Sequence, residues 1–124
     1  MDRSENMSRV RSKNTSPEMT VRRALHRAGF RFRLHRKDLP GRPDIVLPKK
    51  RLCIFVNGCF WHQHPRCPKS KRPKTNAEFW NAKLDANIIR DKKNHAALRQ
   101  LGWKVLVLWE CEINRGDEFL HKIN

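Results

Sequence analysis

Tyrosine is absent from this 124-residue chain, and acidic residues are scarce, at 12 against 28 lysines and arginines. No apolar run approaches membrane-spanning length, and the opening MDRSENMSRVRSKN carries no apolar signal segment, so neither a membrane span nor a secretory route is expected. There are no internal repeats or low-complexity tracts, which excludes a solenoid or a linker-like chain. What remains is 38% hydrophobic, with four tryptophans and six phenylalanines. That supply is enough for one domain with a real core. The missing acid leaves a formal charge of +16. A charge of that size on one small domain repels itself unless a polyanion neutralises it. Nucleic acid is the natural partner, and an anionic membrane surface the weaker alternative.

Residues 1–15 are polar and basic and form an expected DNA-contacting arm; residues 16–124 form the expected single domain. Thr15-Ser16-Pro17-Glu18 has the form of a helix start, with a hydroxyl cap, an early proline and a glutamate three residues on. Val21, Ala24, Leu25 and Ala28 recur at helical spacing and Gly29 supplies the stop. FRFRLH, 30–35, alternates like an exposed strand, and DIVL and RLCIFV read as two strands joined across PKK. A second capping pattern, Thr75-Asn76-Ala77-Glu78, starts a long helical region punctuated by Phe79, Leu84, Ile88 and Leu98 and stopped at Gly102. KVLVLWE, 104–110, is a core strand, followed by a short helix. The order α-β-β-β-α-β-α predicts an α/β fold, a mixed sheet flanked by helices.

Between strand and helix, residues 57–74 lack either period and form a loop longer than structural connections normally run. It holds NGCFWHQHPRC, residues 57–67. Cys59, His64 and Cys67 lie close together there, and Cys111 closes the last strand where a distant ligand could return. Four cysteines would also suit two disulfides, but the missing signal segment favours a reducing interior, where clustered Cys and His more often bind metal. Two thiolates and an imidazole, joined by a third thiolate, suit tetrahedral zinc in a structural role. The competing reading leaves all four as small core residues. Cys53 sits in an apolar run and reads as a buried thiol.

Upstream, LPGRPDIVL, 39–47, places Asp44 at a turn that enters a strand. Such a residue is often only a turn former, but its carboxylate suits Mg²⁺, which prefers hard oxygen ligands. Mg²⁺ on Asp44 would polarise a scissile phosphate, His62 would take the proton from attacking water, and Glu18 would orient that histidine or a metal-bound water. His62 and His64, two apart in an extended loop, would face opposite sides, one toward the cleft and one toward zinc. His26, His35 and His95 read as solvated or structurally satisfied. Phe60 and Trp61 either join the core or, with Trp80, insert between base steps at a cost of a few kcal/mol of unstacking. Trp103 and Trp109 read as structural.

Taken together, NMSRVRSKNTSPE, LPGRPDIVL, IFVNGCFWHQHPRC, the EFW at 78–80, Asn87 with Arg90-Asp91, and LGWKVLVLWEC resemble the very-short-patch repair (Vsr) family of DNA mismatch endonucleases. The resemblance implies a restriction-endonuclease-like fold and Mg²⁺-dependent nicking of one strand 5′ to the thymine of a T:G mismatch, in repair of deaminated 5-methylcytosine. It implies that Asp44 and the Val56 backbone carbonyl hold Mg²⁺, that His62 is the catalytic base and that Glu18 assists. Cys59, His64, Cys67 and Cys111 would hold structural Zn²⁺. Phe60, Trp61 and Trp80 would intercalate from the major groove, and Met7 and Val10 on the arm would enter the minor groove. Val56 stands in place of a threonine, and Asn57 stands where a second histidine can occur, so catalysis would lean on His62. An extra residue separates His64 from Cys67, and the C-terminal tail of some relatives is expected to be missing. The expected partners are mismatched duplex DNA and mismatch-repair proteins, not membrane, with the chain acting as a monomer in the cytoplasm at the nucleoid. Two alternatives stand beside this: a restriction-type enzyme cutting specific duplex sites, and a non-catalytic zinc-stabilised DNA-binding module. Aromatic wedges discriminate against the first, and acidic groups at a phosphate-binding surface discriminate against the second.

Overall fold

Helix α1, Ser16–Arg27, starts as its sequence demands: the Thr15 hydroxyl accepts the Glu18 amide at 3.4 Å, with proline in the first turn. It stops at Gly29, whose φ of +85° suits glycine best. The computed structural model describes residues 15–123. Met7 and Val10, and with them the arm, lie outside the described residues.

Four strands follow, β1 (Arg33–Leu34), β2 (Ile45–Leu47), β3 (Leu52–Asn57) and β4 (Lys104–Trp109), in the order β1-β2-β3-β4. The first two pairings are antiparallel and β3 pairs parallel with β4, so the long crossover between them carries helix α2, Ala77–Gln100. A short helix α3, Glu110–Ile113, and a 3₁₀ segment, Asp117–Lys122, complete the order expected from sequence.

Alternation along the strands divides the core into two layers. Ile45, Leu47, Leu52, Ile54 and Leu108 face Val21, Ala24 and Leu25 of α1, together with Ile113 and Phe119. Val46, Cys53 and Phe55 face the other way, against Leu98 of α2 and Leu39. Cys53 is the fully buried thiol its context predicted. Trp103 is structural too: it packs on this second layer, with the Arg51 guanidinium 4.5 Å above its ring.

Two local expectations need correction. The FRFRLH strand shrinks to two residues, because its partner β2 has only three and His35 turns out of the extended region at φ +47°. The second capping box does not form: Asn76 enters α2 in the left-handed region with no side-chain cap bond. Phe79, in the first turn of α2, is 59% exposed. A 24-residue helix runs about 36 Å, whereas six-residue strands run about 20 Å. Leu98, near the C-terminal end of α2, packs on the second core layer, whereas Leu84, also fully buried, belongs to neither layer, so the N-terminal half of the helix lies beyond the sheet's core.

Candidate active site and metal centre

The chemistry-bearing residues gather where β2 begins and β3 and β4 end. Gly41 sets the approach: its φ is +76°, and a β-carbon there would lie 2.9 Å from Asn94 and 3.2 Å from the Phe55 ring. Asp44 follows. Its Oδ2 accepts the Val56 amide at 2.8 Å, tying the carboxylate to the end of β3. Burial pushes the Asp44 carboxyl up to about 6, and the Glu18 carboxylate pushes the same way. The Val56 hydrogen bond, His35 and His62 act in the opposite direction.

Glu18, 1% exposed, reaches this point from the first turn of α1. Its Oε2 lies 2.8 Å from His35 Nε2 and 3.4 Å from Arg22 Nη1. Ligand atoms of Glu18, His35 and Asp44 fall within 4.8 Å of one another, a set that could hold a cation. His35, read from sequence as solvated or structurally satisfied, is partnered by Glu18 and belongs to this set. Its neighbours in FRFRLH hid this, because only the pairing of β1 with β2, carried on by the His35 amide to the Asp44 carbonyl at 3.0 Å, brings it to the carboxylates.

Glu18 does not orient His62. That ring is held by Asp91 of α2, with Nδ1 2.6 Å from Asp91 Oδ2. Asn87, one turn earlier on the same helix face, donates to the Trp61 carbonyl at 3.1 Å. Both residues were visible only as matches to the family pattern, since a helix-surface Asn and Asp carry no signal of their own. His95, next along, packs on Phe55 at 4.7 Å between centroids, and burial lowers its pKa.

The loop after β3 is coiled rather than extended. His62, Gln63 and His64 donate their amides back to Gly58, Phe60 and Cys59 at 3.2, 3.2 and 2.9 Å. His62 and His64 do point to different partners, but tight turning produces this, not extended alternation. His64 Nδ1 lies 3.6 Å from Cys59 Sγ and 3.4 Å from Cys111 Sγ. A tetrahedral zinc with ordinary Zn–S and Zn–N bonds separates sulfur from nitrogen by about 3.6 Å. Cys67 completes the cluster, all four ligand atoms lying within 4.8 Å. The donor set fits structural zinc in identity, number and spacing. Burial pushes the Cys59 thiol well up, so a dication is what would favour the thiolate. Trp109 stacks on His64 at 4.2 Å and 13°, fixing the plane of the imidazole, and Glu110 accepts the Cys59 amide at 3.2 Å.

Beside this centre the aromatic residues meet. Phe60 lies 5.3 Å from Trp61 and 5.6 Å from Trp80 between centroids, and Trp61 lies 5.8 Å from Trp80. Phe79 joins Trp80 at 5.2 Å. Lys83 sits 5.6 Å above Trp61. None of these rings belongs to either core layer.

A mixed sheet between helices, with acidic groups at one end and a Cys₃His cluster beside them, defines a metal-binding nuclease architecture. The catalytic domain of the homing endonuclease I-Bth0305I has the same fold, with a TM-score of 0.59 over 89% of this chain and 91% of that one, at 24% identity. The family model for the DNA mismatch endonuclease Vsr matches residues 1–69. The Type II nicking enzyme V.XorIIP of Xanthomonas oryzae is 55% identical over 87% of this chain and 79% of its own. The Escherichia coli DNA mismatch endonuclease Vsr is 42% identical over 95% and 74%. This chain belongs to the Vsr endonuclease family, and it is a DNA-repair endonuclease. The non-catalytic reading is thereby removed. No helix among the described residues is long and apolar enough to cross a membrane.

Proposed function

We propose that this enzyme nicks one strand of duplex DNA 5′ to the thymine of a T:G mismatch, with Asp44, His62 and Glu18 as its working side chains. The carrying observation is that buried Glu18 and half-buried Asp44 come within metal-binding reach of each other, while an Asp91-held His62 sits on the loop that carries aromatic residues outside the core. Asp44 and the Val56 carbonyl would hold Mg²⁺. The fit rests on the donor chemistry: a carboxylate raised by burial, and further by the Glu18 carboxylate beside it, is a place that a hard dication relieves. Bound there, Mg²⁺ supplies Lewis-acid stabilisation of charge on the scissile phosphate.

The protein's own part is positioning and proton transfer. With Nδ1–H donated to Asp91, the neutral His62 ring carries its lone pair on Nε2 and takes a proton from water there. Asn57 is an amide and takes no part in that transfer. Glu18, held by His35, presents a fixed carboxylate to water near Asp44. Phe60, Trp61 and Trp80 insert between base steps beside the mismatch, and Met7 and Val10 of the arm enter the opposite groove. The zinc centre keeps the loop that carries Phe60, Trp61 and His62 attached to α3, the short helix that follows β4 and carries Cys111. Enzyme and duplex meet as one monomer on one mismatch, in the cytoplasm at the nucleoid, with mismatch-repair proteins as further partners.

Single-turnover nicking of T:G, matched and cytosine-methylated duplexes, with and without Mg²⁺, tests the reading. Nicking confined to the T:G strand and dependent on Mg²⁺ is expected. Equal cutting of both strands of a matched site would replace it with restriction-type cleavage.

A further inference from the structure

Arg72 lies in the loop between the zinc cluster and α2, outside every group assigned so far. Each of its three guanidinium nitrogens donates a hydrogen bond. Nε donates to Gln63 Oε1 at 2.9 Å, Nη1 to Asn81 Oδ1 at 3.0 Å and Nη2 to Asp85 Oδ1 at 2.7 Å. Gln63 in turn donates its Nε2 to the Phe60 carbonyl at 2.7 Å. A continuous chain of bonds thus runs from two successive turns of the overhanging part of α2, through Arg72 and Gln63, to the backbone that carries Phe60 and Trp61. The same turns of α2 present Trp80, so one brace spans both halves of the aromatic cluster. Gln63 has φ +53°, a left-handed conformation that a non-glycine residue adopts at a cost, and its side-chain bonds hold it there.

We propose that Arg72 is a positioning residue for DNA engagement: it holds the Phe60–Trp61 turn at a set distance from Trp80, so that the three rings enter the base stack already ordered. The proposal rests on the wedge reading above. Its physical basis is that an exposed ion pair contributes little to folding: Asp85 is 59% exposed and Arg72 29%. Holding a loop in its bound shape, by contrast, removes an ordering cost from binding. Lysine cannot replace Arg72 in this role, because a single ammonium does not reach three acceptors in a planar fork.

The test uses the zinc-loaded full chain and a T:G duplex with 2-aminopurine beside the mismatch, without added Mg²⁺ so that the strand stays intact. Fluorescence reads unstacking, and a titration reads affinity. Arg72→Lys keeps the charge and loses the fork; Arg72→Met loses both; Asp85→Asn keeps an acceptor for Nη2. Both Arg72 variants should lose roughly tenfold in affinity and much of the unstacking signal, with zinc content unchanged. Asp85→Asn should stay close to the parent. An Arg72→Lys protein that binds and unstacks like the parent overturns the proposal, since Arg72 would then act only as a positive charge. Should the Arg72 variants lose zinc or fail to fold, Gln63→Asn carries the test: asparagine tolerates the left-handed backbone but is one methylene too short to bridge Arg72 and Phe60. Phe60→Ala separates the two ideas. If it leaves unstacking unchanged, the wedge reading fails and takes the brace with it; if it abolishes unstacking while Arg72→Lys and Gln63→Asn do not affect it, only the brace fails.

Discussion

Replacing Asp44 by asparagine should make this enzyme more stable at neutral pH, and the size of the gain follows from the site. The Asp44 carboxyl rises from 3.8 to about 6, through burial and then the nearby Glu18 carboxylate. A folded pKa above the unfolded one means that the folded state holds its proton longer. Between about pH 4 and 6 stability therefore falls as pH rises, and above 6 the full cost of the buried charge is present. Two pKa units correspond to about 3 kcal/mol, an upper figure for the penalty at pH 7.5. Asparagine keeps an oxygen for the Val56 amide at that 2.8 Å bond and carries no charge. D44N should then melt several degrees above the parent at pH 7.5, on the order of 10 °C if the full penalty is relieved, and should match it near pH 4. Adding Mg²⁺ should raise the parent and leave D44N where it was, by about 2.7 kcal/mol at a hundredfold excess over Kd. Thermal melts across pH 4–8, with zinc retained and Mg²⁺ present or absent, make the comparison. A D44N protein that melts at or below the parent at pH 7.5, with zinc still bound, would refute the account of a strained carboxylate awaiting a cation.

Nicking by D44N should be abolished while DNA binding survives, which a rate assay beside a binding assay will show. His62→Ala should slow single-turnover nicking by about 10²–10⁴-fold. Asp91→Asn should slow it less, with zinc content unchanged in both; a rate unaffected by His62→Ala would remove that residue as the base. His35→Ala takes a hydrogen-bond partner at 2.8 Å from buried Glu18, and should destabilise by about 1–3 kcal/mol in denaturant unfolding, with His35→Gln milder because an amide still donates. Cys111→Ala should release zinc on mild chelation and open the loop to proteolysis between residues 60 and 74; undiminished protection would mean that the loop holds without the metal. Finally, the charge of +16 predicts steep salt dependence even on matched duplex, with a log–log slope of roughly −5 if six phosphates are contacted, and a flat titration would reject that electrostatic picture.

Local rules carried much of this fold. Thr15 and Glu18 start α1, Gly29 and Gly102 follow the ends of α1 and α2, and apolar alternation assigns β2 to β4 to two core layers, because capping, turning and burial act over a few residues. The Cys/His cluster was legible for a related reason: thiolates and an imidazole close together in a long loop have few uses other than holding a metal. Spacing failed where position depended on distant partners. Phe79 was grouped along α2 with Leu84 and Leu98, yet it lies on another side of the helix, 59% exposed and packed on Trp80. His35 sat in a basic alternating stretch, and strand pairing carried it to Glu18 and Asp44. Asp91 and Arg72 looked like ordinary surface charges, yet one holds His62 and the other joins α2 to the aromatic turn. A sequence states which groups are present and which local shapes they prefer. The contacts between residues 13, 17 or 29 positions apart were set by how the sheet and its overhanging helix pack, and those contacts build the site.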